Sequence, residues 1–314
     1  MTPRVTGLVA LSRTVADLAR TEAFYRDGLD FRRLGPIERI PATLLEALDL
    51  PDASGGRLRM GLGAQAIEFL AFDAPGQRYP VGARADDPWF QHAAIVVSDM
   101  DRAFAQLQRL APMPISDEIP QTLPASSGGV TAWKFRDPDG HPLELLAFPD
   151  GETGSPWARA PGLFAGIDHS AIIVADVEAE IGFFRDGLGL ELGARGLNAG
   201  PEQAALDGLP DPVVDVIALA PAQVKTPHVE LLHYRTPQAR GPLPAQSARN
   251  RSTTRFCFAV DDLPALVTHL TAAWPAHRIT LSRDGRMAGL TGPSGHGILL
   301  TATEDGNGRW LRAT

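Results

Sequence analysis

The feature that most constrains this chain is that it repeats itself. Thr14-Val15-Ala16-Asp17 leads to Phe24-Tyr25-Arg26-Asp27-Gly28-Leu29, and Ile173-Val174-Ala175-Asp176 leads, at the same Asp-to-Phe spacing, to Phe183-Phe184-Arg185-Asp186-Gly187-Leu188. Downstream, Leu48-Asp49-Leu50-Pro51-Asp52 resembles Leu206-Asp207-Gly208-Leu209-Pro210-Asp211, and Ile67-Glu68-Phe69-Leu70 answers Val229-Glu230-Leu231-Leu232. A second kind of unit follows each copy. Ala94-Ile95-Val96-Val97-Ser98-Asp99 answers Phe258-Ala259-Val260-Asp261-Asp262, and Asp137-Pro138-Asp139-Gly140-His141 answers Gly292-Pro293-Ser294-Gly295-His296. The order is A-B-A′-B′, and self-similarity of this kind fixes the architecture before any single element does.

Every unit reads alike. An apolar run of strand length comes first, as in Ala93 to Val97 or Ser170 to Val174. Asp17, Asp99, Asp176 and Asp262 then stand where an N-cap acceptor would take up free helix N–H groups. Apolar residues at helical spacing follow, such as Phe104 and Leu107, and further strands complete a βαβββ module. A unit of roughly 50–70 residues buries too little surface alone, so two must pack together. The reading is therefore an α+β chain of four βαβββ modules forming two cupped eight-stranded sheets. The modules span 5–73, 88–149, 166–235 and 252–304, in two domains, 1–150 and 166–314, joined by a linker at 151–165.

Composition excludes several classes. A net charge of −8 argues against a nucleic-acid binder, which needs a basic surface. The single cysteine, Cys257, rules out an intramolecular disulfide or a cysteine-rich zinc site. No apolar run reaches the roughly 18–20 residues that span a bilayer. Arg13 and Asp17 interrupt the apolar start, so no secretory signal is expected and the reading is cytoplasmic, without a membrane partner.

Four βαβββ modules, with His at the start of a first strand (His92, His169) and Glu in a last strand (Glu144, Glu230), resemble the vicinal-oxygen-chelate superfamily. Glyoxalase I, extradiol dioxygenases and bleomycin-resistance proteins belong to it. The resemblance runs from Val5 to Thr303 and implies tandem glyoxalase-like domains in which two modules share a cup holding a divalent metal. First and last strands supply the ligands, since imidazole and carboxylate suit Zn, Ni, Mn or Fe. Those positions hold Ala10 (or Leu8, if Ser12-Arg13 is an insertion) and Glu68 in the first module, His92 and Glu144 in the second, His169 and Glu230 in the third, and Arg255 and Leu299 in the fourth.

Pairing decides which residues meet. If modules pair within halves, Glu68 joins His92 and Glu144, while His169 and Glu230 face the guanidinium of Arg255. If the second and third modules pair, one cup holds His92, Glu144, His169 and Glu230 together and the other is dead. The crossed arrangement is the simpler, because it concentrates the lost ligands in one cup.

The resemblance implies a metal-dependent lyase or isomerase of the glyoxalase type acting on a small vicinally oxygenated substrate. The carboxylates Glu144 and Glu230 would be catalytic, with Glu144 as the base. The alternatives are an Fe(II) extradiol ring-cleaving dioxygenase, or a non-enzymatic small-molecule binding protein of the resistance type. A monomer or homodimer is expected. Lys134 and Trp133 are open to either the cup or strand packing; His141 and His296 read as turn residues, and Cys257 as a core thiol.

Overall fold

A computed structural model describes residues 4–149, 157, 160–238 and 241–302. Most of the segment 151–165 read as a linker therefore lies outside the described residues. Two nine-stranded open sheets carry the fold. The first runs, edge to edge, through Thr280–Leu281, Met287–Thr291, Gly297–Ala302, Thr254–Val260, Val5–Thr14, Gln65–Phe72, Gly55–Leu62 and Arg32–Arg33. The second runs through Glu191–Ala199, Val213–Ala220, His228–Thr236, Phe164–Ile173, Gln91–Val97, Pro142–Ala147, Thr131–Arg136 and Met113–Pro114. The ninth strand of each is a two-residue piece, Glu38–Arg39 or Gln121–Thr122, hydrogen-bonded to a neighbour. Pro36 and Pro120 stand just before these pieces; a proline has no N–H to give a ladder, which fits the short second strands of modules one and two.

The sheets pair module one with module four, and module two with module three. Each is sewn at its centre by two antiparallel first strands: Ser12 opposes Arg255 in one seam, and Ala171 opposes His92 in the other. The crossed arrangement is the one the chain adopts.

All four N-cap aspartates accept backbone N–H bonds. Asp17 caps Ala19 and Arg20, Asp99 caps Arg102, Asp176 caps Ala179, and Asp262 caps Ala265. The buried faces of these helices, with Phe24, Leu107, Ile181 and Leu266, join one core that lies between the sheets.

Buried turns bind the two sheets to each other. His141 Nε2 donates to the Thr14 carbonyl at 2.9 Å, and His296 Nε2 donates to that of Ile173 at 3.3 Å. Thr14 and Ile173 end the first strands of modules one and three. The two histidines thus make the same bond in each half. They are fully buried braces and not simple turn residues.

Candidate metal centre

Strand alternation points residues of one parity to one face, and in the second sheet that parity places imidazoles and carboxylates together. His92 stands near the start of Gln91–Val97, Glu144 in Pro142–Ala147, His169 in Phe164–Ile173 and Glu230 in His228–Thr236. His92 Nε2 lies 2.8 Å from Glu144 Oε2 and 3.3 Å from His169 Nε2. His169 Nε2 lies 3.8 Å from Glu144 Oε2 and 3.4 Å from Glu230 Oε2. Two nitrogens and one carboxylate therefore meet, and Glu230 reaches the group through His169. They line a cavity of about 350 Å³ whose walls include Leu123, Leu146, Val216 and Leu232.

The chemistry of this set fits a divalent cation. Imidazole nitrogens facing each other at 3.3 Å need a proton or a metal between them, and the carboxylates supply the hard donors that Zn, Ni, Mn and Fe accept. His92, Glu144 and His169 bring ligand atoms within 4.8 Å of one another.

The two imidazoles are unequally supported. Burial works against a charged His169, but Glu230, Asp168 and Glu144 outweigh it and hold its pKa well above the usual value. Burial pushes His92 down, with only partial compensation from Glu144. His169 Nδ1 meets Asp168 Oδ2 at 3.1 Å, and Trp157 Nε1 donates to the other oxygen of Asp168 at 2.6 Å. His92 Nδ1 is buried without a partner; the ring packs edge-on to Phe90 at 5.6 Å. Burial opposes ionisation of Glu144, yet Lys134 and both histidines keep it well below the carboxylate range. Glu230 is also lowered against its burial, by His169 and His228.

Sequence reading missed several of these neighbours. His228 Nε2 lies 3.3 Å from Glu230 Oε1, two positions along the same strand, so the period of the strand could have found it. Asp168 precedes His169 directly. Lys134 faces the cup, opposite Glu144, whereas Trp133 stacks on Phe135 away from it. Asp207 and Gln203 come from the helix Pro201–Asp207, which covers the cup through Asp117 N–H to Ala205 O and Ser116 Oγ to Leu206 O. Nothing local in the sequence announces that packing.

Glu68 lies in the other sheet, remote from the histidines. Its carboxylate accepts from Ser12 Oγ at 2.9 Å and from Arg57 Nε. Arg255 is spent on Thr14 Oγ1, Thr253 Oγ1 and the Ala248 carbonyl at 2.7–2.9 Å. Ala10 and Leu299 pack with Cys257, Leu44 and Leu45, the leucines coming from the cover helix Ala42–Ala47. A cavity of about 480 Å³ borders Arg255, but its histidines, His277 and His296, are engaged with backbone carbonyls.

Comparison with known proteins agrees with this architecture. A model of the Glyoxalase/Bleomycin resistance protein/Dioxygenase superfamily matches residues 7–145 and again 166–300. No curated protein matches the chain. Glyoxalase I from Zea mays superposes with a TM-score of 0.64 at 17% identity, over 95% of this chain and 92% of its own. A candidate dioxygenase from Bacillus subtilis subsp. subtilis str. 168 superposes with a TM-score of 0.59 at 12% identity, over 97% and 87%. At such identities the likeness is one of fold.

Proposed function

The chain belongs to the glyoxalase/bleomycin resistance protein/dioxygenase superfamily, and from that premise we propose that it is a metal-dependent lyase or isomerase acting on a small substrate with two adjacent oxygens. The observation that carries this reading is the gathering of two imidazoles and two carboxylates in one cavity: His92, Glu144 and His169 lie with their ligand atoms within 4.8 Å of one another, and Glu230 lies 3.4 Å from His169. These four would hold the ion. When bound, it would act as a Lewis acid that stabilises an oxyanion of the substrate.

The chain's own residues divide the remaining work. The apolar walls, Leu123, Leu146, Val216 and Leu232, lower the polarity around the donors and so strengthen the charge interactions there. Asp168 orients the His169 ring. A carboxylate must take a proton from carbon and return it, and both Glu144 and Glu230 lie in reach of the cavity. Glu144 is enclosed by His92, His169 and Lys134, with its side chain 7% exposed. Glu230 is 18% exposed and has the greater freedom to move, which favours it as the base over Glu144.

The test is metal-dependent exchange of carbon-bound protons in D2O, followed by NMR across small 2-hydroxycarbonyl compounds and thiol adducts of dicarbonyls. Exchange should require the ion and should fall by about 100-fold or more in Glu230→Gln, the range a general base commands. Absence of exchange with every compound would overturn the reading.

One observation favours a second reading, ring-cleaving dioxygenase chemistry. His92, Glu144 and His169, whose ligand atoms lie within 4.8 Å of one another, form a two-histidine, one-carboxylate set, and His228 competes for Glu230. Oxygen uptake with catechols after anaerobic Fe(II) loading would select it.

A further inference from the structure

The same cavity holds polar groups beyond His92, Glu144, His169 and Glu230. Lys134 is buried opposite Glu144, and its Nζ donates to Asp207 Oδ1 at 2.7 Å. The second oxygen of Asp207 accepts from Gln203 Nε2 at 2.7 Å and from the Tyr234 hydroxyl at 2.8 Å. A carboxylate can only accept, so this contact fixes the Gln203 amide with its N–H end toward Asp207 and its carbonyl oxygen elsewhere. That oxygen, Oε1, is buried without a partner, on a residue 4% exposed. Lys134 has three N–H donors and, among the described residues, Asp207 as its one hydrogen-bond acceptor.

Lys134 and Gln203 both line the cavity; Asp207 stands behind them. A surplus donor and an acceptor in want of a donor are thus tied to the two oxygens of one carboxylate. A hydroxyl placed between the two would satisfy both. It accepts from the ammonium and gives its proton to the amide oxygen, whereas a carboxylate would serve Lys134 and face Gln203 Oε1 with like charge.

We propose that Lys134 and Gln203 form a specificity site for a hydroxyl of the substrate, beyond the two oxygens that face the histidines. This rests on the chelating reading given above and narrows it. The substrate class becomes small molecules with a hydroxyl group next to the vicinal oxygen pair. A buried polar site of this kind discriminates strongly against an analogue lacking the hydroxyl, because its own groups are then left unpaired.

Glycolohydroxamate and acetohydroxamate test it, since both chelate through adjacent oxygens and differ by one hydroxyl. Titrated calorimetrically into the Ni(II)-loaded full chain, glycolohydroxamate should bind at least about tenfold more tightly. Gln203→Met should bring the two affinities within about twofold, and so should Lys134→Met made together with Asp207→Asn, which avoids burying an unpaired carboxylate. If the latter variant does not fold, Gln203→Met alone decides. Equal affinities in the wild type, or a preference that survives Gln203→Met, would overturn the proposal while leaving the chelating reading intact. Failure of both hydroxamates to bind the loaded protein would overturn the chelating reading and this inference with it.

Discussion

At the scale of single residues, the asymmetry between His92 and His169 matters most. Asp168, itself held by Trp157, fixes one ring from its outer nitrogen; the outer nitrogen of the other has no partner. Outer carboxylates of this kind commonly sustain about 10–100-fold in metal affinity. Asp168→Asn should therefore weaken ion binding by that order in a chelator-competition titration, and unchanged affinity would show that the contact is incidental. His92, Glu144, His169 and Glu230 were legible in the sequence because the repeat sets them at corresponding positions. His228 and Asp168 were within reach of strand period and adjacency. Gln203 and Asp207 were not, since what they face is decided by how a helix of module three packs on module two.

At the scale of elements, the buried turn of module four and the helix beside it carry opposite pH dependences. Burial lowers His296 from 6.5 to about 4. Between those values the unfolded chain binds more protons, so His296 contributes stability that is present above pH 6.5 and lost as pH falls toward 4. Burial raises Glu180 from 4.5 to about 7, against hydrogen bonding from Ser294. There the folded chain binds more protons, so stability is lost as pH rises from 4.5 to 7. Each effect is worth ~3 kcal/mol at most, and the two oppose each other over most of their range. Relative to the wild type, urea unfolding of His296→Gln should then show stability falling from pH 4 to 6.5, whereas Glu180→Gln should show it rising from pH 4.5 to 7. Parallel curves for all three proteins would contradict this. The elements themselves were readable: four N-cap aspartates and the apolar periodicity following them are local signals. The bracing by His141 and His296 was not, because it joins strands of different sheets.

At the scale of the whole molecule, duplication has produced two sheets with different fates. Both have a cover helix, but in one cup Leu44 and Leu45 pack with Ala10 and Leu299 while Glu68 and Arg255 are held in hydrogen bonds, and in the other the imidazoles and carboxylates line the cavity. The choice of partner modules was legible only as an argument of economy; sheet pairing is a long-range property that no local pattern encodes. The account's central claim is that one ion is held across the seam between modules two and three. Elemental analysis of the purified chain and three variants tests it most directly. The account predicts about one divalent ion per chain in the wild type and in Glu68→Ala, and its loss in both His92→Ala and His169→Ala. An ion retained in either histidine variant, or lost in Glu68→Ala, would contradict it.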